Sequence, residues 1–194
     1  MKPILLCLFY GLILTRLIPT GVAQTSSVLE EAVYFSASID GRAYRLEAVV
    51  FRPNDNERHP LVVMSHGRPG ISDRLNDSAF ITGPTPVCRA LAAEGIAVVL
   101  FVRRGYLRSE GPNADLSGTA VETGLAVASE YRAAVAYWRE QSFAIRDKVV
   151  LMGHSHSGWG VLAAAAVMMD SGGCLGSLIC QVVLPIPSIG PKEG

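Results

Sequence analysis

The chain has 194 residues, of which 49% are hydrophobic, and it carries 17 Lys and Arg residues against 17 Asp and Glu residues. This length and apolar content suit one domain with a hydrophobic core and leave too little chain for two. Because the formal net charge is zero, the composition offers no basic surplus for nucleic acid and no acidic excess for a cationic partner.

The first 23 residues have the pattern of a secretory signal peptide. Lys2 precedes an almost wholly apolar run over residues 3–14, and small residues near the end of the segment suit cleavage. We therefore expect residues 1–23 to be removed and residues 24–194 to form a secreted or periplasmic domain with no stable membrane span. An uncleaved anchor is the alternative, but Arg16 ends the run short of the ~20 apolar residues that cross a bilayer.

The cysteines place only loose limits on cross-linking. Cys7 would leave with the signal peptide, so Cys88, Cys174 and Cys180 remain as an odd set in an oxidising compartment. At most one internal disulfide can form among them. The alternative is that all three are small buried hydrophobic residues.

An antiparallel hairpin is predicted at the start of the domain. Residues 32–38 alternate modestly between apolar and polar, Asp40 and Gly41 form a turn dipeptide, and residues 45–52 alternate again.

Strands and helices are predicted to alternate after this hairpin. Continuous apolar runs predict buried strands, and apolar residues at three- and four-residue steps predict helices. In chain order these segments are a strand over 61–64, a helix over 86–94 ending at Gly95, a strand over 96–102, a helix over 121–141, a strand over 148–152, a helix over 158–169 and a strand over 177–184. The order predicts an α/β fold with a doubly wound, mostly parallel sheet and an N-terminal antiparallel hairpin.

The segment Gly153-His154-Ser155-His156-Ser157-Gly158 lies between a predicted strand and a predicted helix. A serine on such a tight turn projects from the carboxyl edge of the sheet, and its neighbours must be small. Gly153 and Gly158 meet that need, whereas Ser157 stands where the Gly-x-Ser-x-Gly pattern has its second glycine. We therefore predict that Ser155 is a catalytic nucleophile.

Two backbone N–H groups are candidates for an oxyanion hole. The N–H of His156 lies at the start of the helix, where unpaired donors and the helix dipole favour negative charge. A second donor is expected from the loop after an earlier strand, where His66 and Gly67 precede Arg68. An isolated His-Gly pair would be an ordinary turn, so this assignment depends on the serine downstream.

Three passages together resemble the dienelactone hydrolase and prolyl-oligopeptidase-like branch of the α/β-hydrolase superfamily. They are residues 60–67, residues 103–111 and residues 153–159. The middle passage is similar to the family's Arg-Gly-Tyr-Gly-x-Ser loop, with Leu107 where glycine is common, and is expected to shape the floor of the site. Dienelactone hydrolases proper use a cysteine nucleophile, so the serine at 155 departs from them. The resemblance implies a small-molecule ester, lactone or peptide substrate and no cofactor.

In this superfamily the triad acid and then the histidine follow the serine in the sequence. After His156 the sequence has no histidine, and Asp170 and Glu193 are the only later carboxylate side chains. Asp170 is expected at the far end of the next helix, away from the chemistry. We therefore expect a C-terminally truncated serine hydrolase of esterase or peptidase type with impaired turnover, or alternatively a non-catalytic remnant or binding module.

A third interpretation takes His154 and His156 as a metal pair. No further cluster of ligand-type residues accompanies them in the sequence. We therefore expect no metal site.

Overall fold

The structure, a computed structural model, describes residues 27–68, 78–113, 118–170 and 181–183. The expected signal peptide over 1–23 lies outside these residues, as do Cys174 and Cys180. Most of the strand predicted over 177–184 also lies outside them.

Strands and helices alternate through the described part of the chain. They are β1 (Val28–Ile39), β2 (Arg42–Pro53), β3 (His59–Ser65), α1 (Ala79–Thr82), α2 (Thr85–Ala93), β4 (Ala97–Phe101), α3 (Ala120–Trp138), β5 (Ala144–His154), α4 (His156–Asp170) and β6 (Gln181–Val183).

Within the described residues the strands form one sheet in the order β1-β2-β4-β3-β5-β6. β1 pairs with β2, and β2 with β4, in antiparallel fashion. The pairs β4–β3, β3–β5 and β5–β6 are parallel. The prediction of a mostly parallel sheet that begins with an antiparallel hairpin is therefore confirmed.

The predicted turn of the hairpin is confirmed in its conformation. Asp40 and Gly41 both have positive φ, at 50° and 79°, which is the backbone that two-residue hairpins favour. The strands on either side are longer than the alternation predicts, and they stay in register from Val28 opposite Pro53 to Ile39 opposite Arg42.

Both faces of the sheet are covered, as a doubly wound fold requires. Leu61 and Val63 of β3 belong to the core cluster that α3 and α4 complete. Val62 and Met64, on the opposite face, belong to a second cluster with α2. Because successive strand residues point to opposite faces, the continuous apolar run in β3 is buried on both sides.

Cys88 is one of the buried residues under α2. It is a free thiol with no exposed surface, and its Sγ lies 4.0 Å from Met64 Sδ. Burial raises the pKa of the Cys88 thiol to about 12. Its environment agrees with the alternative of a small buried hydrophobic residue.

Close packing of α3 against α4 fixes the start of α4. A Cβ at Gly124 would contact the Trp159 indole, and a Cβ at Gly160 would contact Val127. Trp159 Nε1 donates a hydrogen bond of 2.8 Å to the Ala120 carbonyl. Because the two glycines let the helices approach this closely, the N-terminal turn of α4 is held against the start of α3.

A capping box starts α3. The Thr119 hydroxyl accepts a hydrogen bond from the Glu122 N–H at 3.3 Å, and the Glu122 carboxylate accepts one from the Thr119 N–H at 2.6 Å. These bonds satisfy two backbone donors at the helix start. The bond from the Thr119 N–H also lowers the pKa of the Glu122 carboxyl.

Some boundaries differ from the predicted ones. The helix predicted over 121–141 ends at Trp138. The strand predicted over 148–152 runs from Ala144 to His154 and pairs along β3 with a register shift near its start. The short helix α1 is not predicted by the sequence pattern, because a single turn carries no apolar periodicity.

Candidate functional site

Ser155 occupies the junction between β5, which ends at His154, and α4, which begins at His156. Its backbone has a φ of +52°, a conformation that L residues rarely adopt and that structures retain where surrounding contacts enforce it. The Gly158 N–H donates to the Ser155 carbonyl at 2.9 Å as the helix begins. This strand-turn-helix geometry is the one that a nucleophile elbow requires.

The residue before the turn must be glycine for a steric reason. A Cβ at Gly153 would touch the backbone carbonyl carbon and oxygen of Ser157, closer than real Cβ contacts come. Ser157 is itself fully buried. The strand therefore passes directly beneath the first turn of α4, which leaves Ser155 half-buried at the sheet edge.

The loop after β3 lies against this turn. A Cβ at Gly67 would stand 2.9 Å from both Ser155 Cβ and His154 Nδ1. β3 and β5 are parallel neighbours in which Ser65 pairs with Gly153, so both strands deliver their following loops to the same edge. This pairing brings Gly67 beside Ser155 although they are far apart in the sequence.

The residues predicted to supply the two oxyanion donors both adjoin this edge of the sheet. Arg68 comes directly after Gly67, with its side chain exposed. His156 is the first residue of α4, at the positive end of the helix dipole. The structure brings their segments to one sheet edge beside Ser155, and their role as donors stays a prediction.

His66 is held inside the loop by both ring nitrogens. Its Nε2 lies 3.2 Å from the Arg103 backbone N–H, and its Nδ1 lies 2.7 Å from the Gly67 carbonyl oxygen. A backbone N–H can only donate, so Nε2 accepts and Nδ1 carries the proton. The side chain of His66, with 1% of its surface exposed, is therefore engaged in supporting the loop.

The passage 103–111 lies under the same loop. The Arg103 guanidinium is buried, with Nη2 at 3.4 Å from the Gly67 carbonyl, and the Tyr106 ring meets the His66 ring edge-on at 4.8 Å. Leu107 has a φ of +47°, which gives a backbone reason for the glycine that is common at its position in related loops. These contacts agree with a role in shaping the floor of the site.

Sequence reasoning missed the buried partners that α3 supplies to this floor. Glu130 binds Arg104 through an Oε1–Nε contact of 2.9 Å, and both side chains are almost fully buried. Burial raises the pKa of the Glu130 carboxyl, while Arg103 and Arg104 oppose that shift. A glutamate within the apolar face of a predicted helix is the signal that could have found this pair.

Tyr131 is the neighbour of Glu130 in α3. Its hydroxyl donates to the Met152 carbonyl at 2.7 Å, next to the elbow, and burial raises the pKa of its phenol.

His59 and Asp170 lie away from the elbow. His59 is at the opposite end of β3 from the loop, and its ring bonds Asp55 Oδ1 at 2.8 Å and the Gly95 carbonyl at 3.1 Å. The bond to His59 lowers the pKa of the Asp55 carboxyl. Asp170 is the last residue of α4, so it is a whole helix length away from Ser155, as the sequence predicts.

Three further observations concern binding. Among the residues that the structure describes, no group of three or more His, Cys, Asp and Glu side chains could hold a metal ion. No helix in that part of the chain has the length and apolar character to cross a membrane. A surface cavity of about 520 Å³ lies between the β1–β2 turn, α3 and Met168, and it includes none of the elbow residues.

Comparison with known proteins gives matches of two kinds. The family model described as "Alpha/beta hydrolase family" matches residues 62–192. The quorum-quenching protein AidA of Acinetobacter baumannii (strain MDR-ZJ06) is 30% identical over 127 residues, which are 66% of this chain and 38% of that protein.

Solved structures share the fold. Esterase Est22 superposes with a TM-score of 0.57 at 17% identity, over 80% of this chain and 44% of the esterase. Brefeldin A esterase, a bacterial homologue of human hormone sensitive lipase, superposes with a TM-score of 0.50 at 24% identity, over 81% of this chain and 39% of that one. The chain therefore spans less than half the length of these relatives.

Proposed function

We propose, from the premise that the chain belongs to the alpha/beta hydrolase family, that it is a serine hydrolase of esterase or peptidase type with Ser155 as its nucleophile. The observation that carries this proposal is the position of Ser155. It has a φ of +52° between β5 and α4 and lies against Gly67 of the loop after β3.

The geometry supports acyl transfer. Ser155 Oγ would attack the carbonyl carbon of an ester or amide, and the carbonyl oxygen would take up the negative charge. The N–H groups of Arg68 and His156 would stabilise that oxyanion, a contribution of about 3 kcal/mol for one well-placed donor. Collapse of the tetrahedral intermediate releases the alcohol or amine and leaves an acyl-enzyme, which water then hydrolyses to the acid.

The proton of the Ser155 hydroxyl needs a base, and the described histidines do not supply a remote one. Both ring nitrogens of His59 and of His66 are engaged in hydrogen bonds, while His154 and His156 adjoin Ser155 along the backbone. We propose that turnover by these 194 residues is impaired, since losing one triad member can lower turnover by a factor on the order of 10⁶.

The second candidate is a non-catalytic module that keeps the hydrolase fold. The engagement of His59 and His66 in structural bonds favours it.

The proposed substrate class rests on the sequence passages that resemble one branch of the family. The passages at 60–67, 103–111 and 153–159 favour the dienelactone hydrolase and prolyl-oligopeptidase-like branch, with a small-molecule ester, lactone or peptide as substrate. The name of the bacterial relative, a quorum-quenching protein, is compatible with a small-molecule substrate.

We also propose that residues 1–23 are a signal peptide and that the domain over 24–194 is secreted or periplasmic. N-terminal sequencing of exported protein would place its start near Gln24 if this is right and at Met1 if it is wrong.

A fluorophosphonate probe tests the nucleophile directly. We expect a covalent adduct on Ser155, located by mass spectrometry of the digested protein, and no adduct in the Ser155→Ala variant. Labelling of neither protein, with both shown to be folded by circular dichroism, would favour the non-catalytic module. An adduct on another residue in both proteins would refute the assignment of Ser155.

A further inference from the structure

We propose that Ser157 is a positioning residue that holds the His66–Arg68 loop in place beside the nucleophile, an inference that rests on the proposed function. Ser157 occupies the second glycine position of the Gly-x-Ser-x-Gly pattern. Its Oγ donates a hydrogen bond of 2.5 Å to the His66 carbonyl oxygen, across 91 residues of sequence. The hydroxyl that departs from the pattern therefore connects the elbow to the proposed oxyanion loop.

The loop needs such a connection because of Gly67. Close approach to Ser155 and His154 leaves no room for a Cβ at this position, so only glycine fits. Glycine, however, has the widest choice of backbone conformations. Without an external contact, the peptide groups on either side of Gly67 could rotate and turn their N–H groups away from the nucleophile.

The bonds around Gly67 restrict both peptide groups. The His66 carbonyl oxygen, bound by Ser157, belongs to the same planar peptide as the Gly67 N–H. The Gly67 carbonyl oxygen lies 2.7 Å from His66 Nδ1 and 3.4 Å from Arg103 Nη2, and it shares a planar peptide with the Arg68 N–H. Since N–H and C=O point in opposite directions across a trans peptide, bonds to the carbonyls on one side orient the N–H groups on the other.

Because the hydrogen bond between Ser157 and His66 is buried, its loss would destabilise the loop. Ser157 has no exposed surface and His66 has 1%, so removal of the hydroxyl leaves a buried carbonyl without that donor. An unsatisfied buried acceptor strongly favours rearrangement. The peptide that would rearrange is the one between His66 and Gly67, which directly precedes the peptide that carries the Arg68 N–H.

The test compares Ser157→Ala and Ser157→Gly with Thr85→Val. Thr85 provides a matched control because its buried hydroxyl also donates to a backbone carbonyl, that of Ile81 at 2.8 Å. It lies on α2, which packs on the sheet face opposite α3 and α4. The two readouts are ¹⁵N order parameters of the Gly67 and Arg68 amides and the kinetics of fluorophosphonate labelling.

In the wild type and in Thr85→Val we expect order parameters of about 0.85 at Gly67 and Arg68, the value of rigid backbone. In both Ser157 variants we expect the value at Gly67 to fall to about 0.6 or below. A smaller fall is expected at Arg68, whose peptide keeps the bonds of the Gly67 carbonyl to His66 and Arg103, while amides of β3 and β5 stay rigid. We also expect kinact for labelling to fall about tenfold with KI unchanged, since an orienting bond of this kind acts on the reacting geometry. If Ser157 contributed only to folding stability, its replacement would lower the melting temperature and leave the order parameters and kinact unchanged.

The failures of the two proposals can be told apart. If the wild type is not labelled, the proposed function fails, and the order parameters alone then decide the positioning role. An unchanged order parameter at Gly67 in a folded Ser157 variant would overturn the inference. Should Ser157→Ala not fold, Ser157→Gly decides the matter, since glycine is the usual residue at this position.

Discussion

Replacing Gly67 with alanine probes the contact between the loop and the nucleophile. The added Cβ would lie 2.9 Å from Ser155 Cβ, whereas carbon atoms in contact sit at about 3.5 Å or more. The loop and the elbow would have to separate by about 0.6 Å, the difference between 3.5 Å and 2.9 Å. A misplacement of about 1 Å can lower a rate by about 100-fold, so we expect labelling of Ser155 to slow by roughly tenfold.

The second-order rate constant of fluorophosphonate labelling measures this effect. Gly95→Ala is the control because it makes the same substitution at a residue with positive φ where a Cβ meets nothing within 4 Å. That control should lose about 1 kcal/mol of stability, the cost of an L residue with left-handed backbone, and keep the wild-type labelling rate. Labelling of Gly67→Ala at the wild-type rate would refute the idea that the loop borders the nucleophile.

Three other predictions concern the scaffold around the site. Thr119→Ala removes the cap of α3 and should lower the free energy of unfolding by about 1 kcal/mol, measured by urea denaturation; an unchanged midpoint would contradict the capping box. Tyr131→Phe leaves the Met152 carbonyl without its phenol donor and should lower the same quantity by about 1 kcal/mol or more; a free energy of unfolding equal to that of the wild type would contradict a stabilising role for this bond. Because burial raises the pKa of Cys88 to about 12, its thiol stays protonated and unreactive at pH 8. Mass spectrometry should find Cys88 alkylated by iodoacetamide only after unfolding, and rapid alkylation of the folded protein would show that α2 does not cover it.

The parts of the fold that the sequence predicts well are those encoded locally. The turn at Asp40 and Gly41 needs two residues that tolerate positive φ, and both are adjacent in the sequence. Likewise, the elbow at Ser155 is visible because small residues, a strand pattern and a helix pattern stand next to one another. The start of β5 at Ala144 was missed because it depends on pairing with His59 of β3, which no local pattern records.

The floor of the candidate site could not be predicted in the same way. Glu130 and Arg104 lie 26 residues apart, and Ser157 and His66 lie 91 apart. Each pair meets only after the sheet has brought α3, α4 and the loops to one edge. In the sequence, Ser157 looks like a tolerated departure from glycine, and the function of its hydroxyl emerges only from the three-dimensional contact.

The most direct test of the account is a crystal structure of the protein carrying a phosphonate adduct. We predict an adduct on Ser155 Oγ with one phosphoryl oxygen about 2.7–3.1 Å from the backbone nitrogens of both Arg68 and His156, the spacing of an oxyanion hole. A phosphoryl oxygen directed into solvent, or one that contacts neither nitrogen, would contradict the account.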